Sequence, residues 1–404
     1  MEDKLKVLLG GVPFGCNNVG DECILENAVK IVREYAPNSE ITVSTDDKKP
    51  TENKLNVKTV PLAYFEPEAE CGSMDAALEQ SDVFIWSGAT GLSDYPHITT
   101  NMLNKAQNAG TKTVIWGVGM NTSLNPFMYR LQPGKMKTML QIADALTFGI
   151  ADFVKKTNAR IDKRMRERIA QSLRNTDLTV LRDFPTEQEV KKCGNAGNLV
   201  VGADSALIQE KTPWQEAPFA PEIFEFCDSR KPKVGICISA QRQVENSKGL
   251  VDFLNKLTKE GIDVLFVPMN PLTDSELMGQ LKNQMKNPEN SMLLEGRFEP
   301  ADILALISNL DCVISSRLHL LILSSIVQVP FIGISRGSKV DNFLAEFGLK
   351  SAGNVEDCDF SSLYEQTAYH LNNREEFKKK SMSVRKKLLK RLDNAKSLLK
   401  EVLS

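Results

Sequence analysis

The sequence is poor in histidine and has no long apolar run. Only three of its 404 residues are histidines, at positions 97, 319 and 370. No uninterrupted apolar stretch approaches the roughly 20 residues that a membrane-spanning helix needs, and the N-terminal apolar run is too short for a signal peptide. With 42% hydrophobic and 25% charged residues, the composition excludes disordered, collagen-like and membrane classes. We therefore expect a cytoplasmic protein.

Clusters of metal-binding or disulfide-forming residues are also missing. The eight cysteines include no C-x-x-C pair and have no clustered histidine partners, so we expect neither a zinc site nor a disulfide framework. Cys237 and Cys312 lie in apolar runs, where cysteine usually acts as a small buried hydrophobe. The sequence therefore predicts reduced structural thiols, no metal ion and no cofactor.

The length and the order of the predicted elements indicate two domains. A chain of 404 residues exceeds the size at which single cores stop growing. Short β-branched runs alternate with amphipathic stretches through the first 205 residues, as in βαβ units on a parallel sheet. A proline-rich stretch interrupts the pattern, which restarts at "KVGICIS". We predict an α/β protein with Rossmann-like domains at 1–208 and 233–372, joined by a linker at 209–232.

The last segment, 373–404, is predicted to be one long basic helix. From Arg374 to Ser404 there are eleven lysines and arginines against four acidic residues, whereas the whole chain has a net charge of −2. Apolar residues recur at 384, 388, 392, 399 and 403. Two interpretations stay open: the helix packs back across the two domains, or it makes peripheral contact with a membrane surface. No nucleic-acid partner is expected.

Ligands of open α/β sheets bind beyond the carboxyl ends of the strands, often where a glycine loop enters a helix. The loop "GGVPFGCNNVGDECIL", residues 10–25, joins the first strand to the first helix, where Asn18 and Asp21 supply side-chain hydrogen bonds. Gly88 in "WSGATG" closes another apolar strand, and a small residue there lets a ligand or a loop approach. Both loops are candidate binding sites.

Charged residues follow two further strands of the first domain. Arg182 and Asp183 come after "LTVL", and Asp204 comes after "NLVVGA". Arg182 is either a second contact for an anion or the ion-pair partner of Asp183, and the adjacent carboxylate makes the ion pair the simpler interpretation.

The segment "CVISSRLHLLILSSIV", residues 312–327, places an arginine and a histidine at a strand-to-helix turn. If Ser315 or Ser316 caps the helix, Arg317 and His319 fall in its first turn, where free N–H groups and the helix dipole favour an anion. The guanidinium fork suits phosphate or carboxylate, and the imidazole can exchange a proton near neutral pH. The alternative is structural: Arg317 pairs with a buried carboxylate, and His319 bonds a backbone carbonyl.

These motifs, in this order, resemble the polysaccharide pyruvyl transferase family. "GCNNVGDECIL" is similar to its G-x-G-N-x-G-D-E-x-I-L loop, with Asn17 in place of a glycine. "VLRDFPTEQEVKKCG" followed by "GADSAL" resembles its R-D-x-S and aspartate segment, and "ISSRLHLLILSSIVQVPFIGIS" with "KVDNFLAEFG" resembles its R-L-H signature and K-V segment. The resemblance spans about residues 8–348. It implies two Rossmann-like domains in a GT-B-like arrangement.

The resemblance also implies an activity. Family members move the enolpyruvyl unit of phosphoenolpyruvate onto two hydroxyls of one sugar, which forms a cyclic ketal and releases phosphate. Arg317 and Arg182 would bind the donor, with Lys339 as a third cation, and His319 would transfer protons beside Arg317. The residues expected on the acceptor side or in its loops are Asn18, Asp21, Gly88 and Asp204. The acceptor would be a sugar of a cell-surface polysaccharide, such as an exopolysaccharide, or a precursor that is lipid-linked at the inner membrane face.

The chain departs from the family pattern in three loops, which would shape acceptor binding. "SGATG" stands where the family usually has a glycine triplet, and "SRGSKV" stands where it has Y-D-P-K-V, with Arg336 in the tyrosine position. An arginine often ends the strand matching "KVGICIS", but here Arg242 comes several residues later.

Two other functions stay open. A GT-B nucleotide-sugar glycosyltransferase or epimerase would also need a ribose-binding carboxylate, for which only Asp341 and Glu346 are available. A non-catalytic sugar-binding member is suggested by the altered loops, but the intact R-L-H triplet argues against it.

Overall fold

The computed structural model describes residues 4–65, 71–125, 130–147 and 150–404. The chain forms two compact α/β units. The first comprises the described residues of Met1–Pro13, Val32–Gly202 and Asn394–Ser404, and the second comprises Phe14–Ile31 and Ala203–Asp393. The predicted fold class is confirmed, since each unit contains a parallel sheet with helices and the chain ends in a long helix.

The bounds of the units differ from the predicted domain bounds in two segments in particular. Residues 14–31 and 203–208, which the sequence placed in the first domain, belong to the second unit. Hydrogen bonds give the physical reason: the N–H of Val19 donates to the carbonyl of Met269 at 2.8 Å, and the amide of Asn27 donates to Gln209 at 2.8 Å.

The first unit contains a seven-stranded sheet in the order β3-β2-β1-β4-β5-β6-β7. Its strands are β1 (Lys6–Phe14), β2 (Glu40–Thr45), β3 (Lys58–Pro61), β4 (Val83–Ser87), β5 (Lys112–Val118), β6 (Leu178–Leu181) and β7 (Val200–Val201). All five residues of β4 are buried, as expected for a parallel strand that is covered on both faces. The carboxyl ends of β4, β5 and β6 are neighbours, because these strands pair in parallel.

The helices of this part of the chain follow the strands, and residues 19–31 of the first one belong to the second unit. They are α1 (Val19–Tyr35), α2 (Lys48–Leu55), α3 (Gly72–Gln80), α4 (Gly91–Asp94), α5 (Pro96–Ala109), α6 (Lys135–Leu146), α7 (Phe153–Arg174) and α8 (Phe184–Cys193). The apolar run "ALTFG" (145–149) was predicted to be a strand. This was wrong for Ala145 and Leu146, which end helix α6, and residues 148–149 lie outside the described ranges.

The second unit contains a five-stranded parallel sheet in the order β10-β9-β8-β11-β12. Its strands are β8 (Lys233–Cys237), β9 (Asp263–Phe266), β10 (Ser291–Leu293), β11 (Cys312–Ser315) and β12 (Phe331–Gly333). The helices that follow are α9 (Pro221–Asp228), α10 (Ser247–Lys259), α11 (Pro271–Asn283), α12 (Pro300–Ile307), α13 (Leu318–Ile326), α14 (Ser338–Glu346), α15 (Phe360–Asn372) and α16 (Arg374–Leu403). A 3-10 turn, Ser205–Ile208, packs against α13.

Residues 209–232, expected to be a linker, pack onto the second unit. Helix α9 lies within this stretch, and the ring of Phe219 lies 4.9 Å from that of Phe298, with Trp214 4.7 Å from Phe224. Mutual packing of these aromatic side chains explains why a proline-rich segment is ordered here.

The C-terminal helix α16 buries its apolar side. Its five predicted apolar residues, Val384, Leu388, Leu392, Leu399 and Leu403, are all buried. Because these side chains are buried, they are not available to a membrane. No helix in the described ranges is both long and apolar enough to cross a membrane.

The cysteines are free thiols, as predicted. Burial raises the pKa of Cys237 and of Cys312 to about 12. Both side chains therefore stay protonated and act as core residues.

Candidate functional site

The carboxyl ends of β8, β11 and β12 lie side by side in the second unit and carry small polar residues. The N–H of Ser239 donates to Oγ of Ser316 at 2.9 Å. Ser315 accepts from the N–H of Arg317 at 2.8 Å, so it shapes the turn before α13 and does not cap the helix as the sequence suggested. Arg317 is itself the N-cap residue, in extended conformation, and His319 lies in the first turn.

The guanidinium of Arg317 is held by Asp274 in the first turn of α11. Nη2 donates to Oδ1 at 2.6 Å and Nε donates to Oδ2 at 3.1 Å, and the Asp274 side chain is fully buried. Asp274 also accepts from the backbone N–H groups of Ala240 and Asn270. This ion pair with a buried carboxylate is the structural role that the sequence left open for Arg317. Within the described ranges Nη1 makes no hydrogen bond, so this end of the fork faces no fixed partner.

Sequence reasoning missed Asp274, although "NPLTD" contains a signal. Asn270 caps α11 and Pro271 opens it, so Asp274, the fourth helical residue, lies in the first turn, where a carboxylate favours the free N–H groups of the helix start. Asp274 does accept from the N–H of Asn270. Its second role, as the partner of an arginine 43 residues away, has no local signal.

His319 faces Asp204 across a short gap. Nε2 of His319 lies 3.6 Å from Oδ2 of Asp204, and both side chains are largely buried. The other oxygen, Oδ1, accepts from the N–H of Ala206 at 3.0 Å and caps the 3-10 turn. Because that bond fixes the carboxylate, Asp204 presents a negative charge to the imidazole from a rigid position.

Gly20, at the start of α1, lies against the other side of the imidazole. A Cβ atom at this position would come within 2.1 Å of Nδ1 of His319. Asn18 supports this turn, because its Oδ1 accepts from the N–H of Gly20 at 3.2 Å. The loop is therefore shaped so that His319 can approach its backbone. Asn17 has a positive φ of 59°, a conformation that asparagine tolerates better than most residues, which accounts for its place where the family has glycine.

Asp21 is a buried carboxyl surrounded by cations. Nδ2 of Asn18 donates to its Oδ2 at 2.6 Å. Burial raises the pKa of Asp21 above its ordinary 3.8, against the opposing effect of His319, Lys339 and Arg317, whose positive charges favour the ionised form. A raised pKa beside a histidine is typical of sites that transfer protons.

Arg336, which follows β12, reaches back to the end of β8. Its Nη1 donates to Oγ of Ser239, and both of its terminal nitrogens lie 3.3 Å from Oε1 of Gln241. The backbone carbonyl of Arg336 accepts from Arg242 at 3.2 Å. A guanidinium thus stands at the end of β8, where the family often has an arginine, although it comes from a different strand.

Two predicted site residues, Arg182 and Gly88, belong to the first unit. Arg182 follows β6, is 7% exposed and pairs with Asp183 through Nε at 3.2 Å. Its guanidinium lies against Gly119, where a Cβ would come within 2.3 Å of Nη2. Gly88 follows β4 and donates to the carbonyl of Trp116 at 2.7 Å. These residues form the carboxyl edge of the first sheet.

The second unit brings together most of the predicted residues, namely Asn18, Asp21, Asp204, Arg317, His319 and Lys339. They form a set of two buried carboxyls, one imidazole and two cations at a helix start. In the part of the chain that the structure describes, no group of three or more His, Cys, Asp or Glu residues could hold a metal ion. The set can bind an anion and exchange protons.

Comparison with known proteins identifies a family model. The model described as "Polysaccharide pyruvyl transferase" matches residues 18–338. No curated protein sequence matches the chain.

Similar solved structures include sugar-nucleotide enzymes. A UDP-GlcNAc 2-epimerase from Neisseria meningitidis bound to UDP-GlcNAc has a TM-score of 0.60 at 11% identity, with 99% of each chain covered. A glycosyltransferase from Rickettsia africae has a TM-score of 0.57 at 13% identity, with 99% of this chain and 98% of that chain covered. At these identities the likeness shows the GT-B-like fold alone.

Proposed function

The chain belongs to the polysaccharide pyruvyl transferase family, and from this premise we propose that it transfers the pyruvyl group of phosphoenolpyruvate to two hydroxyls of one sugar. The product is a cyclic ketal on a cell-surface polysaccharide or its precursor, and phosphate is released. The observation that carries the proposal is the set of His319, Asp204 and Asp21 beside Arg317 and Lys339 at a strand-to-helix turn.

The chemistry requires proton transfer in both of its steps. In the first addition the methylene carbon of phosphoenolpyruvate gains a proton, the central carbon bonds to a sugar oxygen, and that hydroxyl loses its proton. In the second, another hydroxyl of the same sugar loses its proton and bonds to the central carbon, the C–O bond to phosphate breaks, and phosphate leaves with that proton. His319 is the proposed acid and base for these steps. Asp204 positions the ring for them, because its carboxylate is fixed 3.6 Å from Nε2 of His319.

Phosphoenolpyruvate carries a phosphate and a carboxylate, so its site needs several cationic groups. We assign Nη1 of Arg317 and Lys339 to the donor, as the resemblance implies; Arg182, in the first unit, is assigned to the donor by the resemblance alone. Arg336 is a further candidate, because its planar fork stands at the end of β8 beside Ser239. Pairing with Asp274 orients the Arg317 fork and at the same time offsets part of its charge, which increases the need for the other cations.

The acceptor side is assigned to Asn18, Asp21 and the loop at Gly88. Asp21 holds a proton more readily than an exposed aspartate does, so it can donate a hydrogen bond to a sugar oxygen while protonated. No cofactor is part of the proposed reaction. Whether the acceptor is free or lipid-linked is decided by the experiment below.

The alternative, a nucleotide-sugar enzyme, draws support from the epimerase and glycosyltransferase neighbours. It requires a carboxylate for the ribose. Asp341 accepts from Oγ of Ser335, and Glu346 pairs with Arg391 at 2.6 Å. Because both candidate carboxylates already have partners inside the second unit, the pyruvyl transferase is the better supported function.

The test uses the purified chain with phosphoenolpyruvate and a panel of free and lipid-linked sugars. We expect phosphate release together with a mass gain on the sugar that corresponds to a pyruvate ketal. UDP-GlcNAc without phosphoenolpyruvate is the second arm. If a UDP-sugar binds in calorimetry while phosphoenolpyruvate does not, the proposal fails in favour of the alternative. Binding of a sugar without turnover of either donor would indicate a non-catalytic member.

A further inference from the structure

Helix α6 has an apolar stripe that the rest of the protein does not cover. Its residues Met136, Met139, Ile142 and Leu146 are 62%, 70%, 55% and 75% exposed. They recur at spacings of three, three and four, which places them on one side of the helix. No residue of α6 is fully buried. Soluble monomers rarely expose apolar side chains in such a contiguous row.

The stripe is not a packing defect, because the opposite side of α6 is attached. Asp144 accepts hydrogen bonds from the N–H groups of Phe153 and Val154 at the start of α7. At the other end, the N–H of Leu131 donates to Asn158 of α7 at 2.7 Å. Helices α6 and α7 thus form an antiparallel hairpin in which the stripe faces away from α7. The apolar surface continues beyond the helix at Ile150, which is 90% exposed.

The hairpin is strongly basic, in contrast to the rest of the chain. Residues 130–168 contain ten lysines and arginines against four acidic residues, a net charge of +6, whereas the whole chain has −2 and the remainder therefore −8. The exposed basic residues of α7 are Lys155, Lys156, Arg160, Lys163 and Arg164. An exposed apolar stripe on a hairpin of net positive charge is complementary to an anionic lipid surface, where apolar side chains enter the acyl boundary and cations meet headgroups.

We propose that the α6–α7 hairpin binds the protein to an anionic membrane surface. Met136, Met139, Ile142 and Leu146 enter the lipid, and the basic residues of α7 contact the headgroups. The long basic helix α16 does not fill this role, because the apolar residues that recur along it, at 384, 388, 392, 399 and 403, are buried. The proposal does not depend on the reaction that the protein catalyses.

The proposal is tested by sedimentation with vesicles of phosphatidylglycerol and phosphatidylcholine, and with vesicles of phosphatidylcholine alone. We expect the full chain to bind the anionic vesicles and to leave them as salt is raised. The double variant Met139→Glu/Ile142→Glu should weaken binding by at least about tenfold, because two apolar side chains no longer enter lipid. Lys155→Glu/Lys156→Glu should weaken binding to anionic vesicles.

Met382→Glu is the matched control, because this methionine is 54% exposed on the basic helix α16. Its binding should equal that of the parent. All the substituted residues are exposed, so unchanged thermal unfolding will show that the variants fold.

Four results would overturn the proposal: no binding to anionic vesicles, equal binding by the Met139→Glu/Ile142→Glu variant, loss of binding in Met382→Glu, or a dimer in ultracentrifugation that the stripe variant dissociates while vesicles are not bound. The last result would assign the stripe to a second copy of the chain.

Discussion

Nε2 of His319 lies 3.6 Å from Oδ2 of Asp204, and the same carboxylate caps the 3-10 turn that packs against α13. The two residues are separated by 115 positions in the sequence, yet both belong to the second unit. The cap holds the carboxylate where it can act on the imidazole. The protonated ring is the form that can donate a proton to the methylene carbon of phosphoenolpyruvate.

Asp204→Asn should separate the charge of this carboxylate from its structural role. Asparagine retains the oxygen that caps the turn but loses the negative charge. We expect turnover to fall by at least about tenfold in Asp204→Asn. His319→Ala removes the general acid–base group itself and should lower turnover by roughly 10²- to 10⁴-fold. Binding of phosphoenolpyruvate should be retained in both variants. Full turnover in Asp204→Asn would assign Asp204 to structure alone.

Gly20→Ala should displace the imidazole of His319. The added methyl group would lie 2.1 Å from Nδ1, so either the ring or the start of α1 has to move. A misplacement of this kind can cost about 10²-fold in rate, and we expect kcat to fall while the fold persists. Gly279→Ala is the control, because a Cβ there meets only Leu293, at 3.8 Å, and alanine favours the helix. Equal kcat in the two variants would contradict the proposed role of His319.

Local patterns predicted the sheets and the strand-to-helix site, but not the partners of its charged residues. The alternation of apolar runs and amphipathic stretches was enough to predict two parallel sheets, because βαβ units leave that signature. The position of Arg317 and His319 after a buried strand was likewise readable. Asp274 and Asp204 were not identified as their partners, since which buried charges meet depends on long-range packing. Helix α6 was missed in part because Ala145 and Leu146 begin an apolar run that also suits a strand.

Asp274→Ala should strongly destabilise the second unit. The carboxylate is fully buried and receives the Arg317 fork and two backbone N–H groups. Removing one partner of a buried pair leaves an uncompensated charge, which costs about 3–5 kcal/mol. Chemical denaturation measures the loss. Glu210→Ala removes the partner of Lys30 in an exposed ion pair and should leave stability nearly unchanged. Similar losses of unfolding free energy in the two variants would show that the buried ion pair contributes no more to stability than the exposed one.

Arg336→Gln should weaken binding of phosphoenolpyruvate, because a planar fork at the end of β8 is lost. A charge-assisted hydrogen bond contributes about 1.5–3 kcal/mol, which corresponds to roughly a ten- to hundredfold loss of affinity in calorimetry. Arg336→Lys should recover only part of it, since lysine keeps the charge without the fork. Arg242→Gln is the comparison: Arg242 pairs with Glu356 and is half exposed, so its loss should have a small effect. If Arg242→Gln weakened binding of phosphoenolpyruvate more than Arg336→Gln did, the donor contact would lie at Arg242.

Asp21 should make the stability of the protein depend on pH in a direction opposite to that of most aspartates. Burial raises its pKa above the ordinary 3.8. As pH rises, the unfolded chain releases this proton first, near 3.8, and the folded chain releases it only at the higher value. Between the two values the folded state binds more protons, so the stability contributed by the protonated carboxyl falls with rising pH and is lost above the folded pKa. Asp21→Asn cannot ionise. Its free energy of unfolding relative to the parent should therefore increase from about pH 4 upward and then become constant, as measured by denaturant titrations at a series of pH values. A constant difference over the whole range would show that His319, Lys339 and Arg317 fully offset the burial of this carboxyl.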